Sequence, residues 1–325
     1  MQQLGALGPV IKIMERHGVR CSPEEFHAAV NVTFHQFESE VYDEEHRDMW
    51  DSLPREFGLI AGDCLQQGVP ASASLRMLDI GCGTGLASDS LLNSALGTRI
   101  REITLLDTSS SMLRRAKERA ASWGVPFEVH EGLLDALPVT HYDLIVTCSV
   151  LHHVPDIPTL MEQVRCRQSP EGVFIHIQDP NGDMLQSPAL QERMKRAAPR
   201  TPAWIQRLHP SRVMGRIRRE LGQADDDYVA KTNRELLRMK ALETPLSVSE
   251  LYAITDIHVS DGQGISISSM KDWMSSYRLV SERSYGYFGQ LPSDLPPRLK
   301  REEEALSEKR DMSGFFLGAA WSLLP

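Results

Sequence analysis

From Leu75 to Asp179 short apolar runs alternate with amphipathic stretches, and this rhythm restricts the possible folds more than any other feature of the chain. The runs are Arg76–Ile80, Ile103–Asp107, Phe127–His130, Tyr142–Cys148 and Gly172–Ile177. Between them lie helical stretches such as Ser110–Trp123, where Met112, Ala116 and Ala120 share a face opposite Arg115 and Lys117. Such alternation predicts a parallel sheet covered on both faces. Two later segments of strand-like composition, Tyr277–Phe288 and Gly314–Leu323, could complete the sheet, and Arg298–Lys309 between them reads as a charged, solvated helix. The first seventy residues read as helical. Ser22-Pro23-Glu24-Glu25 is a helix start with a capping box and a proline in the first turn. Phe26, Val30, Phe34, Phe37 and Val41 then recur at helical spacing, and a second helix runs over Arg55–Gln67. After Pro180 the rhythm gives way to a mainly helical, proline-punctuated stretch. The expected organisation is a helical cap (1–72), a core (73–186), a helical lid or substrate region (187–275) and C-terminal strands that complete the sheet (276–325).

The chain has 325 residues, 41% hydrophobic and 24% charged, which is too apolar for a disordered chain, and 22 Gly with 19 Pro is too few for collagen. No stretch approaches the ~20 uninterrupted apolar residues of a membrane-spanning helix. The N-terminal residues lack a basic leader, so a secretory signal is not expected. Cys21, Cys64, Cys82, Cys148 and Cys166 form an odd set without a CxxC pair, which points to a soluble protein of the reducing cytoplasm. The net charge is −9, although Arg193, Lys195, Arg196, Arg200, Arg207, Arg212, Arg216, Arg218 and Arg219 follow one another with no acid between them. The rest of the chain is strongly acidic, which argues against wholesale nucleic-acid binding. The basic strip 193–219 reads either as a solvated helix face or as a docking strip for an acidic substrate or partner.

Residues 78–85 read Leu-Asp-Ile-Gly-Cys-Gly-Thr-Gly, at the end of the first strand and the opening of a helix. Absent side chains let backbone approach a ligand there. The pattern is Gly81-x-Gly83-x-Gly85, with Leu86 where a dinucleotide fingerprint places its third glycine. Asp79 puts negative charge beside the turn, which suits a cationic or hydrogen-bond-donating ligand better than a pyrophosphate. S-adenosylmethionine carries an ammonium and a sulfonium and no phosphate. Asp107 ends the second strand, where a carboxylate can hold ribose hydroxyls; it can equally cap the helix that begins near Ser109. Nicotinamide and adenosylmethionine enzymes share that device.

Taken together, LDIGCGTG (78–85), LLDTSSSML (105–113), HYDLIVTCSVLHHVPD (141–156) and EGVFIHIQD (171–179) resemble the class I S-adenosylmethionine-dependent methyltransferases, in particular the small-molecule branch that includes the ubiquinone and menaquinone biosynthesis type. The resemblance spans about a third of the chain. It implies an α/β, Rossmann-like, seven-stranded, mostly parallel sheet, here with an N-terminal helical cap and a helical lid insertion, and S-adenosyl-L-methionine as cofactor with S-adenosyl-L-homocysteine as product. It implies that Gly81, Cys82, Gly83 and Gly85 run beneath the methionine portion with Asp79 in support, and that Asp107 holds the ribose. Thr108 and Met112 would pack near the adenine, and backbone at Cys148 and Ser149 would bind the methionine amino group. Tyr42-Asp43, placed late in the long N-terminal helix, resembles a pair that closes over the cofactor. The sequence departs from the family after Gly132, where Leu133 and Leu134 replace an acid, so adenine would rest on backbone and apolar contact, with Asp135 out of register.

Transfer from a sulfonium needs alignment and exclusion of water, and a base only where the acceptor must lose a proton. His152 and His153, directly after the fourth strand, face the acceptor region and are the candidates for that role or a structural pair. His176 reads as core, Asp179 as a possible substrate contact, and His258 as an outlying candidate. No metal is expected: HExxH and CxxC are absent, and adjacent histidines normally diverge. Trp204, Met214, Met239, Leu251 and Tyr252 read as pocket lining or lid core. The expected activity is methyl transfer to O, N or C of a small metabolite. The alternatives are a methyltransferase whose carrier-protein-bound or RNA substrate docks on 193–219, an NAD-dependent oxidoreductase, and a non-catalytic adenosylmethionine-binding protein.

Overall fold

The computed structural model describes residues 5–197 and 227–324. Among them seven strands form one sheet: β1 (Leu75–Ile80), β2 (Ile100–Asp107), β3 (Phe127–Glu131), β4 (Tyr142–Cys148), β5 (Gln168–Pro180), β6 (Tyr277–Tyr285) and β7 (Phe316–Leu323). Their order is β3-β2-β1-β4-β5-β7-β6. The first five strands are mutually parallel, and β7 runs antiparallel between β5 and β6. The seven-stranded, mostly parallel sheet implied by the resemblance is therefore present. The chain leaves β1 toward β2 and β3, then returns to place β4 on the other side of β1. That reversal opens a crevice at the C-terminal ends of β1 and β4, where ligands of open α/β sheets bind.

The strands bury side chains on alternate faces. Met77, Leu144, Val146, Ile175 and Ile177 face one core with Leu53, Phe57 and Ile60 of the long helix Arg47–Gln66. Leu78, Ile145 and Phe174 face the other, with Met161, Val164, Ile267 and Met270. The N-terminal helices differ from expectation in two ways. The capping box at Ser22 is present, with the Glu25 N–H donating to Ser22 Oγ at 3.2 Å and the Ser22 N–H to Glu25 Oε2 at 2.9 Å. Helix α1 (Gly8–His17) precedes it, but α2 (Pro23–Glu38) ends before Ser39, and Tyr42 opens a separate helix, α3 (Tyr42–Glu45). The next helix, α4 (Arg47–Gln66), begins eight residues earlier than Arg55 and carries Pro54 in its interior.

Cap and lid are one layer. Phe26, Val30 and Phe34 of α2 share a core with Leu236, Leu251, Ile254 and Ile257 from the segments Tyr228–Arg238, Val248–Thr255 and Ile257–Ser260. The lid is also stitched to the end of β5, through the Gly182 N–H to Ile265 O at 2.9 Å and the Ile265 N–H to Pro180 O at 2.8 Å. Leu251 is buried in this layer, Met239 and Tyr252 are exposed, and Trp204 and Met214 lie outside the described residues. The late charged helix, Pro297–Glu308, is not wholly solvated: Glu303 is buried and accepts the N–H groups of Gly286 and Tyr287 at 2.6 and 2.9 Å. Burial pushes its carboxyl up to about 7.

Candidate active site

The three glycines of the first βα turn have three different reasons to be glycine. Gly81 has φ +64°, and a Cβ there would meet Val150 Cγ2 at 2.6 Å, so it lets the turn close on the segment after β4. Gly85, at φ +93°, is the N-cap of α5 (Leu86–Leu92) and faces the Trp123 ring, which a Cβ would meet at 3.3 Å. Gly83, at φ +53°, has no protein atom within 4 Å of its absent side chain. Open space above a backbone turn at the switch point is where a ligand can lie.

Asp107 clamps this turn from the neighbouring strand. One carboxylate oxygen accepts the Gly83 N–H and the other the Ser109 N–H, each at 2.8 Å. The helix that follows, α6 (Ser110–Ala120), is capped by Ser109 rather than by Asp107, with Ser109 Oγ accepting the Met112 N–H at 3.3 Å. Burial raises the Asp107 pKa against those two N–H groups. Asp79 lies beneath the turn with no exposed surface. Its Oδ2 accepts from Ser88 Oγ at 2.6 Å, its Oδ1 has no partner, and burial pushes it up to about 7. Cys82 is buried and its N–H donates to Leu106 O at 3.0 Å, which ties the turn to β2.

Tyr42 stands near this clamp: its phenol is raised above the usual range by burial first, then by Glu38, Cys148, Asp107 and Asp43. Its ring lies against His46 at 4.4 Å between centroids. Asp43 fastens α3 to the turn, accepting from Thr84 Oγ1 at 2.7 Å, Trp50 Nε1 at 3.2 Å and Arg119 Nη2 at 2.6 Å. Arg119 also donates to Thr84 O. Across the crevice Cys148 ends β4, with burial holding its thiol well above the usual range. Ser149 adopts φ +59°, a left-handed conformation rare for non-glycine residues, and its N–H donates to Ile177 O at 2.9 Å. Thr108 is half-buried beside Asp107. Met112 and Leu134 are buried, Leu134 within the second core face, and only Leu133 of the leucine pair is open, at 66% exposure. Of the two leucines expected to contact adenine, Leu134 is taken up in the core and Leu133 alone faces outward.

The side of the crevice after β4, where an acceptor was expected, carries several histidines. The short 3-10 turn Leu151–His153 follows Ser149 and Val150. His152 is buried, and its Nδ1 lies 2.9 Å from Asp179 Oδ1, which also accepts the His152 N–H at 3.2 Å. Burial favours the neutral acid at Asp179, but the His152 bond outweighs it and keeps the pKa below the usual carboxylate range. Asp179, expected as a possible substrate contact, has no exposed surface and is bonded to His152. His153 Nδ1 donates to Thr255 O at 2.8 Å and lies 3.4 Å from Asp256 Oδ1. Burial, then the neighbouring His152 and His35, hold His153 well below its usual pKa and so neutral. The rings of His152 and His153 do not diverge: their centroids are 4.0 Å apart with a 44° tilt, because Asp179 draws one and the lid carbonyl draws the other. His176 is fully buried, as expected of a core residue; neither ring nitrogen makes a hydrogen bond, and Nδ1 lies 3.9 Å from Asp179 Oδ2. His258 is buried and bonds Val154 O at 2.9 Å, a strut between lid and core.

Three residues of this region were not singled out from the sequence. His35 of α2 sets its ring edge against His153 at 5.3 Å, and its Nδ1 lies 2.9 Å from Glu38 Oε2. Glu38 also bonds His46 at 3.3 Å. Its burial opposes ionisation, but the two histidines hold it at about 2. Asp256 enters from the lid, 4.0 Å from His152 Nε2. The His35/Glu38 spacing of one helical turn was the only local signal; nothing local announces Asp256.

Comparison with known proteins agrees with the topology. Residues 78–174 match a family model described as a methyltransferase domain. A ubiquinone biosynthesis O-methyltransferase of Methylobacterium sp. (strain 4-46) is 32% identical over 31% of this chain and 40% of its own length. An uncharacterized methyltransferase of Mycobacterium bovis is 33% identical over 34% of this chain and 54% of its own length. A highly reducing polyketide synthase of Emericella nidulans is 30% identical over 54% of this chain but only 7% of that much longer protein. The chain thus spans about half or less of the curated relatives it matches. The matched segment is similar to methyltransferase domains, and the sheet order is that of a Rossmann-like fold. Among the described residues no helix is long and apolar enough to cross a membrane, and all five cysteines are unpaired.

Proposed function

We propose that this chain binds S-adenosylmethionine over the Gly81–Gly85 turn and transfers its methyl group to a small acceptor held under the cap–lid layer. The observation that carries this reading is Gly83: open above, left-handed, its N–H fixed by Asp107, at the reversal of strand order. The residues present fit that cofactor. Asp107 bonds only backbone N–H groups and Asp79 only a serine, so the turn is flanked by carboxyl groups with no basic side chain bonded to them, which suits a phosphate-free nucleoside with a cationic or hydrogen-bond-donating group better than a dinucleotide. Lone pairs remaining on Asp107 suit ribose hydroxyls, and Tyr42 with Leu133 supplies ring and apolar contact. Thr108, Cys148 and Ser149 complete the wall.

The bound donor supplies a methyl group already activated by positive sulfur. What the chain contributes is alignment and dryness. The shared cap–lid core closes over the strand ends, and the Asp43–Thr84–Arg119 latch holds α3 and Tyr42 on the turn. His152 and His153 each have Nδ1 engaged, which leaves Nε2 of each ring as the atom open toward the acceptor. Docking of an acidic carrier or RNA on 193–219 is less well supported. Of that strip Arg193 donates to Tyr287 O, Lys195 pairs with Glu192, and Arg196 pairs with Glu302, while Arg200, Arg207, Arg212, Arg216, Arg218 and Arg219 lie outside the described residues.

Calorimetry with S-adenosylmethionine and, separately, with nicotinamide dinucleotides tests the donor, and transfer of labelled methyl into a small-molecule extract tests the reaction. Binding of adenosylmethionine with appearance of a labelled product is expected. Binding of only the dinucleotide overturns the reading, and binding without transfer to any acceptor leaves a binding protein instead of an enzyme.

A further inference from the structure

We propose that His152, His153 and Asp256 form a divalent transition-metal site of the zinc type on the acceptor side of the crevice. One ligand atom from each residue lies within 4.8 Å of the others. For an ion at ~2.1 Å from each ligand, neighbouring donor atoms stand roughly 3.4 Å apart, so side-chain rotations of under ~1 Å gather these three.

The hydrogen bonding around the cluster is what sets it apart from a chance grouping. Thr255 O is a carbonyl and can only accept, and Asp179 Oδ1 already accepts the His152 N–H at 3.2 Å. His153 therefore donates from Nδ1 and His152 Nδ1 faces the Asp179 acceptor, which leaves Nε2 of each ring as the atom that can take a ligand. A carboxylate or backbone carbonyl holding the far nitrogen is the support that metal-bound histidines generally have. His152 Nε2 lies 4.0 Å from Asp256 Oδ1, beyond hydrogen-bond reach and close to the separation of two donors on one ion. His35, edge-on to His153 and itself tied to Glu38, buttresses the ring. The cluster is not sealed: the side chains of His153 and Asp256 keep 18% and 30% of their exposure. Three protein ligands with an open side leave a coordination position for an acceptor oxygen, whose proton a divalent ion makes more acidic. The site names an acceptor class, a hydroxyl or enol oxygen able to ligate metal. That last step rests on the methyltransferase reading; the ion binding does not.

The test uses chelator-stripped full-length protein titrated with Co(II) and Zn(II), read by equilibrium dialysis and by the visible absorption of bound cobalt. One ion per chain is expected, with zinc displacing cobalt. Asp256→Asn and His153→Gln should each weaken uptake at least tenfold, and Asp256→Glu should restore part of it. Asp179→Asn, which touches no metal, should weaken it about 10–100-fold by releasing the His152 ring. A measurement that needs no variant is nitrogen NMR of histidine-labelled protein: zinc should move the Nε2 resonances of His152 and His153 and leave those of His176 in place. Unmoved resonances, or uptake by folded Asp256→Asn and His153→Gln equal to that of the parent, overturn the site. Adenosylmethionine affinity, measured by calorimetry on the same samples, separates the two readings, since metal uptake without donor binding would sink only the methyltransferase assignment.

Discussion

At Gly81 and Gly83 the same residue type answers to different neighbours, and substitution separates them. Gly81→Ala drives a methyl into Val150 and should lower the melting temperature, with a loss of about 1–3 kcal/mol for an overpacked contact. Gly83→Ala meets nothing and carries only the left-handed backbone cost, ~1–2 kcal/mol. Gly83→Val should abolish donor binding while the protein still melts cooperatively. Calorimetry beside thermal unfolding checks the pair; if Gly83→Val binds donor normally, no ligand rests on that turn. Asp107→Ala removes the clamp on the Gly83 N–H together with the ribose lone pairs, and its donor affinity should fall by about 1–3 kcal/mol. An unchanged affinity would place the nucleoside elsewhere.

The elements that carry chemistry were legible to the extent that they are local. Each glycine, Asp107 and the His152-His153 pair lies within a few residues of a strand end, so strand–turn–helix rhythm was enough to find them. The break between α2 and α3 was not legible, because Phe26 to Val41 keeps its apolar spacing through Ser39 and only tertiary anchoring decides where Tyr42 goes. That anchoring is the bond set of Asp43 with Thr84, Trp50 and Arg119, and the Arg119 guanidinium also lies 4.0 Å over the Trp50 ring. Asp43→Ala should therefore release α3 from the turn. Donor affinity should fall roughly tenfold, the scale of one charged hydrogen bond, with the melting temperature changed little. If affinity holds while stability drops, Asp43 braces the fold and Tyr42 does not cover the donor.

Across the whole molecule, the parts that sequence left separate are joined by long-range contacts. Asp256 reaches His153 across about a hundred residues, and the cap reads as independent of the lid until Phe26, Val30 and Phe34 are seen to share a core with Leu251 and Ile254. Hydrophobic spacing tells which face of a helix is buried but not against what. His27 sits in that seam, buried on α2, with its Nε2 lacking a hydrogen-bond partner. Burial, with smaller contributions from His258 and His35, lowers its pKa from 6.5 to about 4. Between those values the unfolded chain binds the proton and the folded chain does not, so stability is complete above pH 6.5 and falls as the pH drops toward 4, by up to about 3 kcal/mol. His153, also depressed, acts in the same direction. His35 and His46 act in the opposite one, because Glu38 raises them against burial, and Glu38 itself loses its contribution only as the pH falls from its usual range toward 2. Denaturant midpoints from pH 7 to 4 should decline more steeply for the parent than for His27→Gln, and hydrogen exchange should show protection lost first in Pro23–Glu38 and Val248–Thr255. Parallel slopes would mean that His27 is solvated in the folded chain and that cap and lid are held together by apolar contact alone.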